Sequence, residues 1–250
     1  PKNADQVMRF VQNSDLFHLS GIDQEETVLL IIKRSGESKE ILFIKETNEH
    51  IKIWEGSKLT KDEAQKISAI KTIFWNESLE LKLTKVLSNI STIYLNSNEH
   101  PRANIVVESR DARFKKWLQK KFPKKIYKKA SDLLYEIRSI KQPEEINLIK
   151  KACEITNLGV HRVLKTLKPG VYEYELEAEI IHEFLMNRAS GFAYDPIIAS
   201  GKNACILHYG ENNMRCNDGD IVLMDFGAEY ANYSSDLTRC FPVNGRFTKR

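Results

Sequence analysis

Apolar and polar positions in the first half of the chain shift between solid runs and helical spacing. TVLLII at residues 27–32 is an apolar run rich in β-branched side chains and predicts a buried strand. EILFI at 40–44 predicts a second strand, after the turn signal Ser35-Gly36. Residues 62–70 have the spacing of a short helix, and TIYL at 92–95 and NIVV at 104–107 predict two more strands. Strands separated by helices predict an α/β unit over residues 1–139. Paired lysines at 115/116, 120/121, 124/125 and 128/129 predict a solvated helix face interrupted at Pro123. Little aromatic interleaving accompanies them, which argues against a nucleic-acid surface.

A second unit is predicted over residues 140–250. Gln142-Pro143-Glu144-Glu145 is a helix start, with proline at the first helical position and acids in the first turn. Ile146, Ile149, Cys153, Thr156, Val160, Val163 and Leu167 then form one predicted buried stripe, and Lys168-Pro169-Gly170 ends the helix. Residues 174–188 predict a second helix, with Leu176, Ile180, Phe184 and Leu185 on its apolar side. IIA at 197–199 and ACIL at 204–207 both have strand character.

Composition narrows the class. The chain has 250 residues, 42% hydrophobic and 29% charged, which is ordinary globular composition. No apolar run approaches the roughly 18 residues of a spanning helix. The first residues show no basic or apolar signal region, so no membrane association and a cytoplasmic location are expected. Cys153, Cys205, Cys216 and Cys240 show no metal-finger spacing and predict free thiols in a reducing compartment. A net charge of +4 does not call for a nucleic-acid partner.

The chemistry concentrates near the end. After the turn Asp218-Gly219-Asp220, the apolar run IVLM at 221–224 leads straight into Asp225, a poor place for an unpaired carboxylate. A second predicted strand begins at Asp236. A hairpin turning at Tyr230-Ala231 would set Asp225 directly opposite Asp236, with Cβ atoms roughly 5 Å apart. Like charges there call for a proton or a cation between them, and a divalent metal with hard oxygen ligands meets that need. Local sequence equally allows one aspartate as a turn residue and the other as a helix cap.

The flanking residues carry a resemblance. ILHY at 206–209, DGDIVLMDFGAEY at 218–230 and SDLTRCFPVNGRFT at 235–248 resemble the pita-bread metallopeptidases. Within these they are most similar to aminopeptidase P (Xaa-Pro aminopeptidase), with prolidase close behind. KQPEEI at 141–146 is similar to the start of that catalytic domain, and NSDLFHLSG at 13–21 resembles a stretch of the family's N-terminal domain. The resemblance implies a creatinase-type α/β domain followed by an α+β pita-bread domain that is incomplete in this chain.

It also implies roles. Asp225 and Asp236 would be metal ligands, and His208 would lie beside the metals and contact substrate. The Thr238 hydroxyl would steady a ligand. Trp54, in IWEG at 53–56, and Asp5 would line the substrate entrance, Trp54 from a neighbouring subunit. The implied cofactor is a pair of divalent ions, manganese by family habit, and the implied assembly is a homodimer or homotetramer. The implied activity removes an N-terminal residue that precedes proline. Prolidase action on Xaa-Pro dipeptides and a non-catalytic peptide-binding module are the alternatives. The family's remaining ligands, a histidine and two glutamates, lie downstream of the matched segment, so the 250 residues alone are expected to bind metal poorly and to be inactive. Glu175, Glu177, Glu179 and His182 read as a solvated helix face, not as substitutes. His18, His50, His100 and His161 read as structural or exposed.

Overall fold

The structure, a computed structural model, describes residues 9–96 and 107–249. The expected strand at 104–107 lies almost wholly outside the described residues, as do Asp5 and His100. The chain divides into two compact units, Pro1–Ile140 and Lys141–Arg250.

The first unit runs α1 (Ser14–Ser20), β1 (Val28–Arg34), β2 (Glu37–Ile44), α2 (Glu49–Trp54), α3 (Lys61–Ser68), β3 (Ile73–Trp75), α4 (Leu79–Leu87), β4 (Thr92–Leu95), α5 (Arg110–Lys121), β5 (Ile126–Lys129) and α6 (Ser131–Ser139). β1 and β2 form a hairpin closed by Ser35 and Gly36, both at positive φ, and β3 adds parallel to β2. β2 is the middle strand, so Ile41, Leu42, Phe43 and Ile44 are buried. β1 is an edge strand and is only half-buried, against the expectation of a buried one: Ile31 is 49% exposed.

The lysine pairs do not share one helix face. α5 stops at Lys121, where the Phe122 N–H returns to the Leu118 carbonyl, and Pro123 prevents continuation. Lys128 and Lys129 lie instead on β5, paired in parallel with β4. The Tyr127 hydroxyl, donating to the Leu118 and Phe122 carbonyls, locks that change of direction.

The second unit runs α7 (Pro143–Thr166), α8 (Glu173–Met186), β6 (Gly191–Phe192), β7 (Ile197–Ser200), β8 (Ile221–Phe226), β9 (Ala228–Tyr230), β10 (Tyr233–Ser234) and β11 (Leu237–Pro242). All strand pairs are antiparallel, in the orders β11-β8-β7 and β10-β9-β6. Pro143 opens α7, and the Glu145 carboxylate accepts both the Gln142 N–H at 2.8 Å and the Tyr233 hydroxyl at 2.9 Å. One residue thereby caps the helix and fastens it to β10.

The buried face of α7 is Ala152, Ile155, Thr156, Gly159, Val160 and Val163; Cys153 and Ile146 are exposed. Thr156, Val160 and Val163 of the expected stripe are buried, while its first turns are displaced toward Ala152 and Ile155, and Gly159 joins the face through close approach. A Cβ at Gly159 would sit 3.0 Å from a Phe184 ring carbon and 3.6 Å from one of Phe226. On α8, Leu176, Ile180 and Phe184 are fully buried, each worth about 1.5–3 kcal/mol as an upper estimate, but Leu185 is 59% exposed. Residues 204–207 are not a strand. Gly201–Cys205 is a 3-10 turn and Leu207 is 92% exposed, because the Asn203 side chain turns inward and is bonded there.

The hairpin holding the aspartates turns at Ala231-Asn232, both at positive φ, one residue later than expected. β8 pairs with β11 so that Asp225 faces Thr238, and Asp236 falls two positions along, still on the Asp225 side. Ala-Asn is weak turn chemistry beside Asn-Gly, which is why the turn was misplaced in the sequence reading.

Between β8 and β9 the ladder breaks at Gly227. A Cβ there would collide with the Ser235 carbonyl. The Thr156 and Ser235 hydroxyls, 2.6 Å apart, both accept from the Ala228 N–H, at 2.9 and 3.0 Å. α7 is thus pinned to the kink by a buried polar network. Gly227→Ala is expected to lower stability by about 3 kcal/mol or more, measured by urea denaturation of the full-length protein. An unchanged midpoint would contradict the close approach.

Candidate metal centre

β8 presents two faces. Val222, Met224 and Phe226 are buried in the cluster formed with α7 and α8. Asp225 points to the other side, half-buried between Ile197 of β7 and Thr238 of β11. Asp236, just before β11, is exposed.

The segment after β6 joins the two carboxylates. The Ala193 N–H donates to the Gly227 carbonyl at 2.8 Å, which seats residue 194 beside the kink. The Tyr194 hydroxyl then lies 2.6 Å from Asp225 Oδ1 and 3.0 Å from Asp236 Oδ1. Both carboxylates therefore converge on one small region, although they are not directly opposite as expected. Burial, and then the two carboxylates, hold the Tyr194 phenol well above its ordinary pKa, so it stays a donor at neutral pH.

Hard oxygen donors converging in this way fit part of the coordination sphere of a divalent cation. Among the described residues no group of three or more His, Cys, Asp or Glu side chains could hold a metal. The two aspartates fit such an ion as an incomplete set.

His208 is exposed and has φ +56, a left-handed conformation that is uncommon outside glycine. Its neighbour Tyr209 is buried, with the hydroxyl donating to Glu173 Oε2 at 2.8 Å. Burial, then that carboxylate, push the Tyr209 pKa up to about 12. Asn212, also at positive φ and buried, accepts from the Ile198 N–H and donates to Glu177 and the Pro196 carbonyl.

Sequence reasoning missed Tyr194, Glu173 and Asn212. Tyr194 sits in an irregular segment with no periodicity, and only an aromatic hydroxyl near a carboxylate-bearing strand could have hinted at it. Of the α8 acids, Glu177, Glu179 and Glu183 are half-buried structural partners, the last two pairing with Arg162, while Glu175 and His182 are exposed. Trp54 is 69% exposed at the end of α2 and stacks on His50 with ring centroids 6.0 Å apart.

Helices packed on one side of a kinked antiparallel sheet, with paired aspartates on the other, define the beginning of a pita-bread metallopeptidase domain. The model of metallopeptidase family M24 matches residues 147–250, and that of the aminopeptidase P N-terminal domain matches residues 1–94. Xaa-Pro aminopeptidases of Haemophilus influenzae and Escherichia coli are each 34% identical to the chain over 99% of its length. Zn-substituted E. coli aminopeptidase P in complex with product superposes with a TM-score of 0.85, at 33% identity, over 100% of this chain and 57% of that one. The chain spans 55% and 57% of the two curated relatives.

Tyr194→Phe is expected to weaken divalent-metal binding by the full-length protein about 10-fold in isothermal titration, because the bond steadying both carboxylates is lost. Unchanged affinity would contradict a positioning role.

Proposed function

We propose that the protein is a metal-dependent exopeptidase that releases the N-terminal residue from peptides with proline in second position. The observation that carries this reading is the convergence of Asp225 and Asp236 on one hydroxyl, within a chain similar along its whole length to Xaa-Pro aminopeptidases. Asp225 and Asp236 would hold two divalent ions, manganese in the proposed state, together with ligands from the rest of the protein. Zinc is the metal named for the substituted E. coli structure. Bound metal supplies Lewis acidity and makes hydroxide available near neutral pH.

The chain's own residues have separate tasks. His208 contacts substrate and donates to the oxyanion that develops on the scissile carbonyl. The Thr238 hydroxyl, across the ladder from Asp225, steadies that ligand. Trp54, exposed and aromatic, lines the entrance of a neighbouring subunit's site in a homodimer or homotetramer. Among the described residues no helix is long and apolar enough to cross a membrane, and the proposed location is the cytoplasm.

The test is turnover by the full-length protein after chelation and after manganese is restored. An Xaa-Pro-Yaa tripeptide should be cleaved only by the restored enzyme, and Asp225→Asn or Asp236→Asn should lower kcat at least about 100-fold. Cleavage confined to Xaa-Pro dipeptides would assign prolidase activity instead. Peptide binding without cleavage would assign a binding module. The 250-residue chain by itself should show no turnover, since two carboxylates leave a divalent site underfilled.

A further inference from the structure

The most deeply buried acid among the described residues lies behind the loop that carries His208. Glu173, the first residue of α8, is fully buried in the second unit. A buried carboxylate is costly unless its lone pairs are filled. Here Oε1 accepts from the Ser200 N–H at 2.6 Å and from Asn203 Nδ2 at 3.4 Å. Oε2 accepts from the Tyr209 hydroxyl at 2.8 Å and from the Met214 N–H at 2.9 Å. The Glu173 N–H in turn donates to the Met214 carbonyl at 2.9 Å.

These donors are not scattered. Ser200 ends β7 and opens the excursion that contains His208, Asn203 lies in its first turn, Tyr209 follows His208, and Met214 closes it. One carboxylate holds the entry, the first turn, the apex and the exit of a single loop. Asn203 Nδ2 also donates to the Tyr209 hydroxyl at 3.1 Å, closing the triangle at the apex. His208 itself is exposed and left-handed, with the highly exposed Leu207 before it and the buried Tyr209 after it. Among the described residues no hydrogen bond, ion pair or ring contact fixes the imidazole, so its placement is inherited from Tyr209.

We propose that Glu173 is a positioning residue for His208, acting through the Tyr209 hydroxyl and through the Ser200 and Met214 amides. The inference rests on the reading of His208 as a substrate-facing group. A glutamine at 173 keeps the shape but turns an NH2 toward one pair of donors, leaving one of the two amides unpaired. Tyr209→Phe removes both bonds of the apex hydroxyl, to Glu173 and from Asn203, and leaves the carboxylate and both amide bonds in place.

Two measurements on the full-length protein decide it. Amide exchange across residues 200–214 should accelerate in Glu173→Gln, and near residue 209 in Tyr209→Phe, with metal content unchanged. In steady-state turnover of an Xaa-Pro-Yaa peptide, Glu173→Gln should lower kcat roughly 10- to 100-fold at an unchanged manganese load. Combined with His208→Ala, neither variant should lower kcat further than His208→Ala does alone. A merely structural role predicts additive losses. Additive losses, or wild-type exchange across 200–214 in both variants, would overturn the proposal. Absence of turnover by the wild-type protein would overturn the peptidase reading instead, and the exchange measurement, which needs no substrate, would then decide whether Glu173 anchors the loop.

Discussion

Asp225 and Asp236 repel each other, and the local structure nevertheless holds them on the same side of a sheet. Much of the second unit serves that constraint. The Tyr194 hydroxyl is the contact that reconciles them, and it reaches both because Ala193 is bonded to the Gly227 carbonyl. Gly227 in turn exists as a glycine because the Ser235 backbone approaches too closely for any side chain. The carboxylate pair, the kink and the tyrosine form one unit, which neither aspartate could build alone.

Stability and chemistry are divided between the two faces of β8. The helix side is apolar and closely packed, with Gly159 admitting Phe184 and Phe226 against α7. Thr156 and the Ala152 carbonyl tie that helix to the kink: both meet the Ser235 hydroxyl, and Thr156 also accepts from the Ala228 N–H. The opposite side carries the carboxylates and Thr238. Substitutions on the helix side should therefore act through packing, and those on the other side through electrostatics and ligand binding.

The main elements were legible where the pattern is dictated by the chain itself. Pro143 and the acids after it mark the start of α7, Ser35-Gly36 marks the first hairpin, and the apolar run into Asp225 marks β8. What was not legible depends on distant partners. Ala152 and Gly159 belong to the buried face of α7 because Phe184 and Phe226 pack closely on Gly159, and no local periodicity records that. The Ala231-Asn232 turn lacks a strong signature, so the register was set wrong by two positions while the side of the sheet was right. Tyr194 and Glu173 acquire meaning only when the fold brings donors to carboxylates more than twenty-five residues away.

The central claim is that this carboxylate pair is a metal site in the full protein. It is tested most directly by anomalous diffraction from crystals of the full-length protein loaded with manganese. The account predicts anomalous density within coordination distance of carboxylate oxygens of both Asp225 and Asp236. Manganese bound elsewhere, with the two carboxylates left hydrogen-bonded to Tyr194 alone, would contradict it.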